Sequence, residues 1–150
     1  NCTGVMVPAL ASLLARARKA GVFVLYSTKE PESSKWMPEV APAPGDPVVK
    51  SVGQDRFYNT DLDNTLKAKG ITTVILTGWK VSGSVVYTSI GATLRGYTVV
   101  VPTDASLAAT DYEVAIGQFQ ILNQNSANAT NEPLKANAST LSRADMIVFQ

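Results

Sequence analysis

Residues 70–105 read GITTVILTGWKVSGSVVYTSIGATLRGYTVVVPTDA, and this stretch decides the fold. Ile71 to Leu76 is a β-branched apolar run with Gly70 before it and Gly78 soon after it. Such a run suits a strand covered on both faces. Beyond a sharp turn, Val85, Ile90 and Leu94 recur at roughly helical spacing, with the small residues Gly91 and Ala92 allowing close approach to a sheet. Gly96 is placed to end that helix as a left-handed cap, and Tyr97 to Val101 reads as a second buried strand. A strand–helix–strand unit of this length crosses over right-handedly, so its two strands should be parallel neighbours. Ligands of such sheets bind beyond the carboxyl ends of the strands. The expected functional edge is therefore Gly78 to Ser84 together with Thr103 and Asp104.

Working outward, the rest of the chain alternates in the same way. Val7 to Ala20 predicts a helix with Leu10, Leu13 and Leu14 on one face and Arg16, Arg18 and Lys19 in its last turn, where cations suit the helix dipole. Gly21 ends it, and Val22 to Tyr26 predicts a buried strand. Ser27 to Asp46 is a proline-rich loop without periodicity, of a length usually functional or mobile. Val48 to Lys50 predicts a short strand, and Thr60 with Asp63 resembles a capping box opening a helix that runs through Leu66 to Lys69. Thr110 with Glu113 predicts a second capped helix, burying Val114, Phe119 and Leu122. Asn123 to Ala138 is polar and irregular, and Met146 to Phe149 predicts a final short strand. The order implies one α/β domain over residues 1–150, three-layered, with a mostly parallel sheet.

Composition narrows the function classes. The 150 residues hold 13 basic and 12 acidic side chains, unclustered, which gives no basic surface for nucleic acid or an anionic membrane. No apolar run is long enough to span a bilayer. The single cysteine, Cys2, allows no internal disulfide or cysteine-based metal site, and the absence of histidine removes imidazole ligands and imidazole general bases. The sequons headed by Asn1, Asn128 and Asn137 are weak pointers to secretion; localisation stays open, with the cytoplasm slightly favoured.

Lys50, then Phe57, Thr60 and Leu62, the run from Gly70-Ile71 to Thr77-Gly78, Ser84-Val85 with Thr88, Gly96-Tyr97 and Asp104-Ala105 together resemble the isochorismatase-like, or cysteine hydrolase, superfamily. The resemblance covers Val7 to about Leu122 and implies a Rossmann-like sheet of order 3-2-1-4-5-6, a small-molecule substrate, no cofactor, and homo-oligomers, dimers or tetramers. Three departures from the family pattern bear on chemistry. Where amidase members carry a nucleophilic cysteine, this chain has Ser84. A helix N-terminus activates a thiol by stabilising its anion, whereas a hydroxyl needs a base within reach. Ser84 therefore reads as a serine nucleophile, as a substrate-binding hydroxyl, or as a small polar residue that helps to cap the helix.

The family's catalytic aspartate ends a first, central strand. Here Asn1-Cys2-Thr3 looks like the loop after that strand, so the expectation is that the strand and its acid are missing. An incomplete chain, a separate peptide, or an unusual closure of the gap would each account for this. Lys50 matches the lysine that holds the aspartate and polarises substrate, but it lies one residue further than usual from Thr60, which leaves Arg56 as the alternative cation or Lys50 as a solvated lysine. Ser27-Thr28-Lys29-Glu30 carries nothing like the family's metal-binding residues, so no metal is expected. The resemblance also implies a cis peptide at Trp79–Lys80 or Lys80–Val81, an oxyanion hole in the Lys80–Ser84 backbone, and substrate contacts from Trp79, Lys80, Val81, Gly83 and Arg56. Trp36 with Trp79 could line a pocket for a planar substrate.

Two functions follow from this reading. One is a small-metabolite hydrolase without the cysteine nucleophile, using Lys50 and Ser84. The other is a catalytically silent fold that binds or oligomerises. A serine hydrolase of the α/β-hydrolase kind fits poorly, because Ser82-Gly83-Ser84 lacks the G-x-S-x-G elbow.

Overall fold

In the structure, a computed structural model, residues 4–30, 35–79 and 81–106 and the backbone of 2–3 and 146–149 are described. Five strands form one parallel sheet: β1 (Phe23–Lys29), β2 (Val48–Ser51), β3 (Thr73–Thr77), β4 (Thr98–Val100) and β5 (Met146–Phe149). Their order across the sheet is β2-β1-β5-β3-β4. Among the described residues, the helices α1 (Val7–Lys19), α2 (Leu62–Ala68) and α3 (Val86–Leu94) accompany them.

The central position, for which the N-terminal sequence offers no strand, is taken by the last strand of the chain. β5 pairs with β1 from Phe23↔Met146 to Tyr26↔Phe149 and with β3 from Val74↔Met146 to Thr77↔Phe149. Of the three accounts offered for the missing first strand, an unusual closure of the gap is the one this sheet displays. Both flanking ladders find partners, as buried backbone groups must.

Side-chain alternation splits the core between the two faces of the sheet. On one face Leu25, Val74, Leu76 and Val99 pack with Leu62 and Leu66 of α2, with Val85 and Ala92, and with Phe57 and Tyr97. On the other, Val24, Tyr26, Ile75 and Val100 pack with Leu10, Leu13, Leu14 and Ala17 of α1. This is the three-layer α/β arrangement that the alternating sequence predicts. Gly21 (φ 71°) and Gly96 (φ 89°) follow α1 and α3 in the left-handed conformation expected of caps.

Four local expectations change. β1 runs on to Lys29, because Thr28 and Lys29 pair with Lys50 and Ser51 where the sequence suggested loop. Among its described residues the long loop that follows holds a 3₁₀ turn, Pro38–Val40, and is tied down at Asp46 by Arg18 (2.6 Å). Thr60 and Asp63 make no capping box: the Thr60 hydroxyl donates to the Arg56 carbonyl (2.6 Å), and the Asp63 carboxylate takes Tyr97 and Lys67. Leu94 is 75 % exposed, so the buried face of α3 is not the Val85–Ile90–Leu94 stripe. Small residues fill that face instead, with Thr88, Ser89, Gly91, Ala92 and Thr93 all buried. The expected helix from Thr110, the polar segment 123–138 and the sequons lie outside the described residues.

Candidate functional site

At the carboxyl edge of the sheet two connections meet at Ser84, one following β2 and one following β3. After β3 the chain passes Gly78 and makes a wide turn over Val81–Val85, kinked at Gly83 (φ −111°, ψ −122°), before α3 begins. Val81 and Gly83 are buried in this turn. Ser84 does not cap the helix, since α3 has no side-chain cap. Its hydroxyl reaches across to the other connection: it donates to Oε1 of Gln54 (2.8 Å) and accepts from Nη2 of Arg56 (3.1 Å).

The connection after β2 is held in place by one face of the α3 segment. Ser84, Thr88, Gly91 and Arg95 recur at intervals of four, three and four residues, which is one stripe of a helix. Each meets the loop. Thr88 Oγ1 accepts from the backbone N–H of Arg56 (3.1 Å) and donates to the carbonyl of Gln54 (3.3 Å). Gly91 leaves room for the Asp55 carboxylate, whose oxygens lie 2.6 Å from where a Cβ at position 91 would be. Arg95 stands 4.0 Å from that carboxylate and stacks its guanidinium over Phe57, 4.8 Å from the ring centre. Asp55 also accepts from the N–H of Phe57 (2.9 Å), closing a local turn.

This anchoring buries Arg56, which is only 6 % exposed. Its Nη1 donates to the Gly53 carbonyl (3.0 Å) and more distantly to that of Ser51 (3.5 Å). Burial pulls the guanidinium below its ordinary pKa, with the charge of Asp55 opposing. Yet Asp55 is turned toward Arg95, and among the described residues Arg56 has no carboxylate within ion-pair distance. Its Nε is buried without a hydrogen-bond partner. A buried cation without a counter-charge is costly, and such groups concentrate where a protein handles ligands.

Of the residues singled out in the sequence, the structure therefore brings Ser84 and Arg56 together, with Val81 and Gly83 in the supporting turn. Lys50 is elsewhere. Val49 packs against the α2–α3 side of the sheet, so Lys50, the next residue along the strand, projects to the opposite face, where it is exposed. Trp79 is 56 % exposed beside the turn. Trp36 stacks edge-on against Tyr26 at 5.1 Å, on the α1 side of the sheet, which makes it a packing residue. Lys80, and with it both candidate cis peptides, lies outside the described residues. Gln54 is the member of the cluster that the sequence reading missed. The stripe Ser84–Thr88–Gly91–Arg95, polar or small at helical spacing, was the available signal that a loop would dock there.

Comparison with known proteins settles the lineage. A family model described as the isochorismatase domain matches residues 3–131. The chain belongs to the isochorismatase family. Over 67 residues it is 39 % identical to a ureidoacrylate amidohydrolase of Methylobacterium radiotolerans, an alignment that spans 45 % of this chain and 26 % of that protein. A streptothricin hydrolase of Streptomyces noursei is 33 % identical over 104 residues, 62 % of this chain and 41 % of its own. Among solved structures, an isochorismatase from Pseudomonas putida KT2440 superposes with a TM-score of 0.73 at 24 % identity, covering 94 % of this chain and 79 % of that one. The chain thus shares the isochorismatase fold over most of its length, while its alignments span only about a quarter to two-fifths of these curated relatives.

Proposed function

We propose that this isochorismatase-family chain takes a small metabolite at the carboxyl edge of its sheet and hydrolyses it, with Ser84 binding substrate instead of attacking it. The observation that carries this reading is the hydrogen bonding of Ser84. Its one proton is directed at the carbonyl oxygen of an amide, Gln54, which is no base, and one of its two lone pairs accepts from the guanidinium of Arg56. A hydroxyl nucleophile needs a carboxylate, imidazole or amine within about 2.6–3.2 Å to take its proton, and no bond from the hydroxyl to such a group is found among the described residues. Arg56 supplies positive charge where negative charge would develop during attack on a carbonyl or vinyl ether.

A second reading, the silent binding protein, is favoured by two observations. Lys50 is exposed on the edge strand, and the central strand, Met146-Ile147-Val148-Phe149, carries no carboxylate. Turnover assays separate the two. The purified protein would be offered isochorismate, ureidoacrylate and simple primary amides, alongside Ser84→Ala. Hydrolysis that falls by roughly tenfold in the variant matches the loss of one substrate-binding hydrogen bond to a charged partner. A loss of about 10⁴-fold or more would make Ser84 the nucleophile and overturn the assignment. Binding without turnover of any compound supports the silent reading.

A further inference from the structure

Arg56 has five N–H donors arranged as a rigid fork. Two, on Nη1, face the carbonyls of Gly53 and Ser51, and one on Nη2 serves Ser84. Nε–H has no partner, and the second N–H of Nη2 has none among the described residues. The unused donors thus sit on adjacent nitrogens of one planar group. The carboxylate of the neighbouring Asp55 is committed elsewhere, to the N–H of Phe57 and to Arg95. Beside this fork the Ser84 hydroxyl is half-buried, and its partner Gln54 has an exposed side chain. Ser84 Oγ and Gln54 are thus able to exchange their mutual hydrogen bond for contacts with an entering ligand.

We infer that the ligand of this edge carries a carboxylate, held by the Nε and Nη2 N–H groups of Arg56, with the Ser84 hydroxyl turning from Gln54 to donate to it. The inference rests on the reading above that this edge is the substrate site. A planar carboxylate matches two adjacent donors on one fork, and a bidentate guanidinium–carboxylate pair is among the stronger charge-assisted contacts. It also supplies the missing counter-charge, so the desolvation of Arg56 is offset when the site is filled. Gln54 acts as a gate. In the empty site it holds the Ser84 proton, and being exposed it swings away at little cost.

The test uses the intact protein and matched probes: acetate against acetamide, benzoate against benzamide, nicotinate against nicotinamide, and inorganic phosphate. The reporter is the side-chain Nε–H resonance of Arg56 in a ¹H–¹⁵N spectrum, assigned by its loss in Arg56→Gln. Carboxylates are expected to shift it downfield saturably, and their amides to leave it unmoved. Affinity for the same carboxylates should fall on the order of 10–100-fold in Arg56→Lys, which keeps the charge but loses the fork. Circular dichroism confirms that both variants fold; should either not fold, Ser84→Ala, expected to weaken the same carboxylates several-fold, decides. Equal binding of amides and acids, phosphate binding tighter than every carboxylate, unchanged affinity in Arg56→Lys, or no response to any carboxylate would each overturn the inference. Its failure is distinguishable from that of the hydrolase reading. Carboxylate binding at Arg56 without turnover sinks only the hydrolase, whereas turnover of neutral amides that is indifferent to Arg56→Lys sinks only the carboxylate site.

Discussion

Gly91→Ala tests whether α3 positions the loop that carries Arg56. Taken alone, the helix favours the change by about 1 kcal/mol, because glycine in a helix interior is poorer than alanine by that amount. The structure opposes it. The new methyl would sit 2.6 Å from both oxygens of Asp55 and 2.8 Å from its Cγ, closer than any relaxed contact. The helix backbone cannot retreat, since Ala92 beside it is fully buried against the sheet, so the carboxylate must move. Moving breaks its bond with the N–H of Phe57, which as a hydrogen bond to a charged group stabilises by about 1.5–3 kcal/mol. The partly exposed pairing with Arg95 adds about 0.5 kcal/mol. Net destabilisation is then about 1–2.5 kcal/mol, or a melting temperature lowered by roughly 2–10 °C in a domain of this size. Asp55→Ala removes the obstacle. In that background Gly91→Ala should raise the melting temperature, by roughly 2–4 °C, so the substitution changes sign between backgrounds. Thermal unfolding of the four proteins, followed by circular dichroism, makes the comparison. Stabilisation by Gly91→Ala in the unaltered chain, or the same sign in both backgrounds, would refute the docking of the loop on α3.

Further outcomes follow from other contacts. Tyr97 donates to the Asp63 carboxylate (2.8 Å); burial pushes Asp63 upward, but the bonds from Lys67 and Tyr97 outweigh it and leave the folded carboxyl below its ordinary range. A depressed carboxyl stabilises the fold above its unfolded pKa of about 4 and ceases to as pH falls through the folded value. Tyr97→Phe should therefore cost about 1.5 kcal/mol in urea unfolding at neutral pH and less in acid, and a cost independent of pH would contradict this. Arg18→Ala removes the clamp between Asp46 (2.6 Å) and the Tyr26 hydroxyl (3.3 Å). It should speed proteolytic nicking within residues 41–47 while changing global stability by about 1 kcal/mol or less; unchanged nicking would show that the loop is held by other contacts.

The fold was legible where one physical rule acted alone. The β-branched run at Ile71–Leu76 and the glycines that end α1 and α3 carry their reasons locally, in burial on both faces and in left-handed backbone. Failures came where partners distant in sequence chose the outcome. β1 extends to Lys29 because β2 offers a ladder that no local propensity reveals. Thr60 and Asp63 have capping-box spacing, but the Arg56 carbonyl and the Tyr97 hydroxyl compete successfully for them. On α3, apolar spacing pointed to Leu94, yet Leu94 is exposed and the turns that meet the sheet and the loop bury the small Thr88, Ser89, Gly91, Ala92 and Thr93. In the site, Ser84 and Arg56 were visible through the family resemblance. Gln54 was not, since an exposed glutamine in a loop has no local signature and gains its meaning only from standing across from Ser84. The central strand is the clearest case: that residues 146–149 belong to both β1 and β3 is a property of the assembled sheet.

The same geometry makes a sharp demand on the position where other family members carry cysteine. An oxygen that accepts from a buried guanidinium and donates to an amide carbonyl is a poor nucleophile, because the amide is too weak a base to take its proton and the guanidinium draws on its electron density. A sulfur in the same place meets different chemistry. A thiol ionises without a base at hand when a cation stands beside it, and Arg56 Nη2 lies 3.1 Å from the present Ser84 oxygen. Ser84→Cys, built with Cys2→Ser so that one thiol remains, should therefore show alkylation by iodoacetamide governed by an apparent pKa well below the ordinary value of about 8.5. Adding Arg56→Gln should return that pKa toward or above the ordinary value, since desolvation then acts without the opposing charge. An ordinary pKa in the single-thiol protein, or one unmoved by Arg56→Gln, would mean that the guanidinium does not act on this position, and the account of Arg56 as the charge-bearing centre of the site would fall with it.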